Sequence, residues 1–472
     1  MKKSLFYTLL IIFIAFSGCN TQPTSQHPKY VFLFIGDGMG LNQVQISELY
    51  LAAIADKYEP EDLSFSNFPI QSYQTTYSVN SLITCSSAAV TALATGYKTN
   101  NGVLGKDTSL TINYETIAEK AKKAGYKIGV LSSVAIDHAT PAGFYAHQNY
   151  RGMYYEISTE LPKSEFDYFG GGAFHYPTGK DLTKANAYEL AESMGYTITD
   201  TQEEFFNIKQ GDEKVLAFNP ELYPDGEFYW EIDKKPGSIS LADFTEKGIE
   251  VLENEKGFFM MVEGGKIDWA CHSNDAVTMI HETLAFSDAV AEAIEFYQEH
   301  PNETLILVTA DHETGGIVLG NGASPKLGVL ENQKISGQEF IRKLTNLKNE
   351  NKNVSFKQVM DSVSKDFGLG KSELGLSLTK EEKEFLYEGY QVTFSNNLKG
   401  EADKDYLSEK EGNSFAERVV YLLNEKAGIS WSSYNHSATS VPIYAIGAGQ
   451  EQFKTKIDNT DIPKIIAELM GL

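Results

Sequence analysis

Three apolar runs in this chain each stop on residues of the kinds that bind metals, and that coincidence restricts the fold more than any other feature. Tyr30-Val-Phe-Leu-Phe-Ile35 runs into Gly36-Asp37-Gly38-Met39-Gly40. Phe258-Phe-Met-Met-Val262 runs into the segment Glu263 to His272, which holds two carboxylates and an imidazole. Leu305-Ile-Leu-Val-Thr309 is followed by Asp311-His312 and then Glu313. Carboxylate oxygens and imidazole nitrogens are donors for zinc and magnesium, and an open α/β sheet carries its active site at the carboxyl ends of its strands. The glycines around Asp37 allow the backbone to turn tightly about that one carboxylate. Any one of these segments alone reads equally well as a surface loop. Three together read as a metal site.

Further apolar runs at 128–134 and 442–447 alternate with helix-like stretches at about 112–124, 240–255 and 276–298. This is the rhythm of a doubly wound α/β core, a mainly parallel central sheet flanked by helices. Within 277–300, Ile280, Leu284, Phe286, Val290, Ile294 and Phe296 recur at helical spacing, so one face packs on the sheet and His281 and His300 are bystanders. Two stretches, about 152–239 and about 318–430, break the rhythm and are rich in tyrosine, glycine and charge. They are expected to be insertions in a single catalytic domain spanning 30–472, the second a mostly helical cap beside the site. That second stretch has helix-compatible segments at Ser336 to Lys348 and Ser355 to Phe367, and Thr379 and Glu382 stand at capping-box spacing.

The amino terminus is of another kind. Lys2 and Lys3 precede the apolar run Leu5 to Phe16, and Ser17-Gly18-Cys19 closes it. Residues 1–18 read as a secretory signal peptide, and Cys19 resembles the lipidated cysteine of bacterial lipoproteins, with plain secretion as the alternative. Residues 19–29, polar and with two prolines, suit a tether. The expectation is an exported protein, periplasmic or at the cell surface, that meets a membrane only through Cys19. The formal charge of −24 becomes about −26 once Lys2 and Lys3 are removed. So acidic a surface argues against nucleic acid and anionic lipid as partners. An anionic substrate therefore needs cations fixed locally, either metals or an arginine. Only Cys85 and Cys271 remain besides Cys19, too few for a disulfide scaffold, and whether they pair is left open.

The segment Thr84 to Gly96 is dominated by helix formers and small residues and reads as a helix starting near Ser86 or Ser87. A hydroxyl at that end lies in the positive field of the helix dipole, although either serine also reads as a simple N-cap. Adjacent zinc would lower the pKa of such a hydroxyl, and two ions about 3.5–4 Å apart can hold the attacking and leaving oxygens of an in-line phosphoryl displacement. Arg151 can grip two phosphate oxygens at once.

Gly36-Asp-Gly-Met-Gly40, Thr84-Cys-Ser86 with Ala94-Thr-Gly96, Thr140-Pro-Ala142 with Arg151, Glu263 to His272, Asp311-His312 and His436 together resemble the alkaline phosphatases, in that family's order from residue 30 onward. The resemblance implies hydrolysis of small phosphate monoesters through a phosphoserine. It makes Ser86 the nucleophile and Arg151 the phosphate clamp. It assigns Asp268, His272 and His436 to a first zinc and Asp37, Asp311 and His312 to a second. Glu263, Thr140 and the shared carboxylate of Asp37 form a third site, usually magnesium, at which His138 also stands. A homodimer is compatible with it.

Three positions depart from the commoner pattern. Cys85 stands where many members have an aspartate that orients the arginine, which leaves the positioning of Arg151 in question. His138 is aspartate in some members, and Trp269 is variable. Ser87 is the competing nucleophile, His147 is a candidate neighbour of Arg151, Asp137 reads as structural, and His27 and His175 fall in tether and insertion. Rival functions are phosphodiester or sulfate-ester hydrolysis on the same scaffold, or a phosphate-binding lipoprotein without turnover.

Overall fold

The computed structural model describes residues 27–322, 324–351, 353–394 and 414–472. The expected signal peptide, Cys19 and most of the tether lie outside the described residues. Fourteen strands are present among those described. In chain order they are β1 (Tyr30–Gly36), β2 (Ile70–Thr75), β3 (Lys127–Ala135), β4 (Tyr168–Gly172), β5 (Thr197–Thr199), β6 (Val215–Phe218), β7 (Phe258–Gly264), β8 (Thr304–Thr309), β9 (Glu313–Thr314), β10 (Val318–Leu319), β11 (Ile429–Ser430), β12 (His436–Ser437), β13 (Val441–Gly447) and β14 (Ile457–Asp458).

Ten of them form one sheet in the order β14-β2-β13-β8-β1-β7-β3-β4-β6-β5. Every neighbouring pair is parallel except the two that β13 makes with β2 and β8. The central strands read as unbroken apolar runs because both faces are covered. Along β1, Phe32 and Phe34 join one core cluster while Val31, Leu33 and Ile35 join the other. Helices Leu41–Ile54, Leu241–Leu252 and Ala276–Glu299 supply the first cluster, and Ser86–Thr95, Ile117–Lys123 and Asp461–Met470 the second. This is the doubly wound arrangement the periodicity predicts.

Two expectations change in detail. The helix expected over 112–124 begins only at Ile117, because Thr116 and Glu119 form a capping box there. The stretch 152–239, expected as an insertion without long strands, adds β4, β6 and β5 to one edge of the central sheet. These strands are short, and β4 is Tyr-Phe-Gly-Gly-Gly, so no apolar alternation marks them in the sequence. The other stretch is mostly helical, as expected. Its helices Gly337–Glu350, Phe356–Phe367, Lys380–Phe394 and Phe415–Ala427 pack through Phe340, Val359, Phe367, Leu386 and Phe415. The last of them leads through β11 towards His436.

The topology explains why distant residues meet. β7 and β8 flank β1, with Ile35 in register with both Glu263 and Thr309. The residues that follow these three parallel strands therefore emerge side by side at one edge. Since β13 alone runs the other way, its beginning lies at that same edge, which brings in His436 just ahead of it. Gly38 makes the turn after β1 with φ of +73°, and a Cβ there would lie 2.7 Å from the Cα of Asp268. Any side chain at this position would meet both a strained backbone and that contact, so the turn requires glycine.

Candidate active site

Ser86 is the first residue of the helix Ser86–Thr95, and Cys85 occupies the N-cap without capping through its side chain. Ser86 Oγ accepts from Arg151 Nη1 at 3.3 Å and lies 3.4 Å from His312 Nε2. Ser87 faces elsewhere, with its Oγ 3.2 Å from Cys85 Sγ. The two candidate nucleophiles are thus separated by geometry, and only Ser86 meets the arginine.

Asp37, Asp311 and His312 form one compact, fully buried group, with His312 Nε2 3.5 Å from Asp37 Oδ1 and 3.2 Å from Asp311 Oδ2. The backbone N–H groups of Gly38 and His312 donate to Asp311 Oδ1, at 3.2 and 2.8 Å, and orient that carboxylate. A second group gathers around Asp268. His272 Nε2 lies 3.3 Å from its Oδ2 and His436 Nε2 3.7 Å from its Oδ1, while the two imidazole nitrogens are 3.1 Å apart. Nδ1 of His272 is bonded to the carbonyl of Tyr434 and that of His436 to the carbonyl of Thr84, so both rings turn Nε2 inward. The ring of His312 stacks on that of His436 at 3.5 Å, which joins the two groups. Thr140 donates to Asp37 Oδ2 at 3.4 Å, and Ser132 donates to Glu263 Oε2, so the third expected set borders the group of Asp37, Asp311 and His312.

The electrostatics of this cluster call for cations. Burial, reinforced by the neighbouring carboxylates Asp311, Asp268 and Glu263, pushes Asp37 well above the usual carboxylate range. Burial first, and then Asp268, lifts Asp311 to about 7, while burial lifts Glu263 to about 8. Burial holds His312 and His436 below the ordinary value, which keeps their lone pairs available. Burial opposes it, but Asp268 draws His272 up to about 9, and a divalent cation held there competes with that proton. Asp37 Oδ1, Asp311 Oδ2, Glu263 Oε1 and His138 Nδ1 are buried without a hydrogen-bond partner. Orphaned carboxylate atoms packed this closely, beside the inward-facing imidazoles of His312, His272 and His436, are a donor set that fits divalent metal ions.

The model of the alkaline phosphatase family matches residues 28–472. The chain belongs to the alkaline phosphatase family. It is 32% identical over 398 residues to alkaline phosphatase 4 of Bacillus subtilis, covering 82% of this chain and 77% of that one. Among solved structures it resembles a cold-active alkaline phosphatase from a psychrophilic Shewanella, with TM-score 0.77 and 26% identity over 93% of this chain and 99% of the other. The alkaline phosphatase of the Antarctic bacterium TAB5 has TM-score 0.65 and 26% identity, with 94% and 98% covered. The enzyme is accordingly a phosphomonoesterase.

In this alkaline phosphatase the expected site residues come together from six places along the chain, and several further residues support them. Thr314 donates to Asp268 Oδ1. Glu313 accepts from Gln43 at 2.8 Å, from the Gly316 N–H at 2.9 Å and from Ser437, tying β9 to β12. His175, set aside as part of an insertion, lies 2.8 Å from Asp137 and 3.3 Å from Glu227 and stacks near His138. No local pattern marks it, because its carboxylate partners come from other segments. His147, expected near Arg151, instead meets the carbonyl of Tyr114 at 2.9 Å and donates its backbone N–H to Glu160. Cys85 and Cys271 are free thiols. Among the described residues no helix is long and apolar enough to cross a membrane.

Proposed function

We propose that this alkaline phosphatase hydrolyses small phosphate monoesters through a phosphoserine on Ser86, at a site for two zinc ions and one magnesium ion. The observation that carries this reading is Ser86 Oγ lying within 3.4 Å of both Arg151 and His312. Asp268, His272 and His436 would hold one zinc, and Asp37, Asp311 and His312 the other. Glu263, Thr140 and Asp37 would hold magnesium, with His138 beside them. Variants of the TAB5 enzyme with glutamate or aspartate in place of a histidine have Mg bound in their M3 site, which supports a third ion site in this fold. When bound, such cations supply positive charge that favours the serine alkoxide and the developing charge on the leaving oxygen.

Arg151 grips two non-bridging oxygens and keeps phosphorus in line with Ser86 Oγ. Ser86 Oγ loses its proton as it bonds to phosphorus, the ester P–O bond breaks, and the alcohol leaves with a proton. Water then attacks the phosphoserine, releasing inorganic phosphate and restoring the hydroxyl. We also read residues 1–18 as an export signal and Cys19 as a lipid anchor, supported by the Lys-rich start, the apolar run and the small residues before the cysteine.

The test is a metal analysis combined with hydrolysis of matched aryl monoester, diester and sulfate substrates. Zinc and magnesium content, a clear preference for the monoester, and loss with a chelator that zinc reverses are expected. A preference for diester or sulfate, or a metal-loaded enzyme inert to monoesters, overturns the reading. Partition of Cys19→Ala and native protein between detergent and water tests the anchor.

A further inference from the structure

The helix Tyr154–Glu160 begins just after Arg151, and a cavity of about 440 Å³ opens between its first turn and the loop 176–184. That volume falls in the range of roughly 300–1,000 Å³ usual for small-ligand sites. Gly152, which follows Arg151 in the chain, is part of its wall, and Tyr154 in that wall stacks on His175, whose ring lies 6.2 Å from that of His138, the partner of the Arg151 guanidinium.

Its lining is unusual for a phosphate site because it is aromatic. Tyr154, Tyr155 and Tyr176 all line it. Tyr154 is held by a stack on His175, with ring centroids 4.2 Å apart and planes 20° apart, and His175 is itself anchored by Asp137 and Glu227. Tyr155 is fixed by donating its hydroxyl to the carbonyl of Ala185 at 3.0 Å. Lys184 Nζ lies 4.2 Å from the ring centre of Tyr155 and Lys180 Nζ 5.2 Å from that of Tyr176. Rigid tyrosines with cations over them are a stacking surface for another planar ring. Glu156, whose carboxylate holds Lys184 at 2.6 Å, and Asp181 complete the polar part of the lining.

We propose that this cavity is a leaving-group subsite for phosphate monoesters whose alcohol carries a planar aromatic ring, a nucleoside or a simple aryl group. This rests on the reading that the phosphate is held by Arg151 at Ser86. The ester oxygen of a monoester seated there carries its organic group towards Gly152 and the tyrosines, where a ring stacks and an alkyl chain does not.

The metal-loaded native enzyme, Tyr155→Ala and Tyr176→Ala are compared on adenosine monophosphate, phenyl phosphate and glycerol phosphate. Native enzyme is expected to have a lower KM for the two ring substrates. Each variant should raise that KM about three- to tenfold, the size of one aromatic contact, and leave glycerol phosphate unchanged. Equal changes on all three substrates, or no preference for a ring in the native enzyme, overturn the proposal. Binding of unphosphorylated adenosine, measured by calorimetry, separates this from failure of the catalytic reading. It needs no turnover, should weaken in both variants, and overturns the subsite if it does not.

Discussion

Arg151 donates from Nη2 to Nε2 of His138 at 3.2 Å, while its Nη1 faces Ser86. The guanidinium is thus oriented by an imidazole. Cys85, at the position where an orienting aspartate is common in the family, has its sulfur engaged by the Gly102 N–H at 3.1 Å and by Ser87. Burial, and then the charge of Arg151, hold His138 well below the ordinary histidine range, so the ring is neutral and its Nε2 accepts. Replacing it by alanine should weaken competitive inhibition by inorganic phosphate about 5- to 100-fold, the cost of a lost buried hydrogen bond to a charged group. His138→Gln, which keeps an acceptor, should recover much of the loss. Unchanged phosphate inhibition in His138→Ala would show that Arg151 is placed by other contacts.

Ser86→Ala should lower kcat on an aryl phosphate by roughly a thousandfold or more, the scale seen when a catalytic nucleophile is removed. Ser87→Ala should leave kcat within a few fold, since its hydroxyl faces Cys85. Rapid-quench trapping of phosphorylated enzyme at acid pH provides an independent check, and label on Ser87 would overturn the assignment.

Glu313 should matter for metal retention without being a ligand. Its carboxylate is already bonded by Gln43, the Gly316 N–H and Ser437, and it joins the loop of His312 to that of His436. Glu313→Ala is expected to loosen zinc by about 10- to 100-fold in chelator competition, as removal of a partner behind a metal ligand does. Zinc held as tightly as in the native protein would reduce Glu313 to a turn-forming residue.

His175 makes stability depend on pH. Burial lowers its pKa, but the hydrogen bonds and charges of Asp137 and Glu227 outweigh burial and raise it from 6.5 to about 10. A group whose folded pKa is raised binds its proton more tightly in the native state. Its contribution is therefore full below about pH 6.5 and is lost as pH rises through about 10. The Tm difference between native protein and His175→Gln should be largest near pH 6.5 and shrink towards pH 10.5. A gap that stays constant over that range would show that the imidazolium carries none of it.

Much of this protein was legible in its residues. The apolar runs at 30–35, 258–262 and 305–309 became the central parallel strands, because a strand covered on both faces must be apolar throughout. The ligand-type residues after each run lie at one edge of the sheet, as strand direction requires. Thr379 and Glu382 pair at the start of their helix as their spacing indicates, and the helix-compatible stretches from Ser336 and Ser355 begin helices capped by those serines. Local backbone chemistry and periodicity act over a few residues and so leave a local trace.

What left no trace depends on packing between distant segments. The Gly-rich β4 pairs because a neighbouring strand offers hydrogen bonds, whatever its own propensity. His175 acquires its environment from Asp137 and Glu227, and Arg151 its orientation from His138. Residue types alone could name Ser86 and Ser87 as equals. A difference of one position on a helix turns a side chain by about 100°, and which of the two then faces Arg151 and His312 follows from how that helix is docked against the sheet.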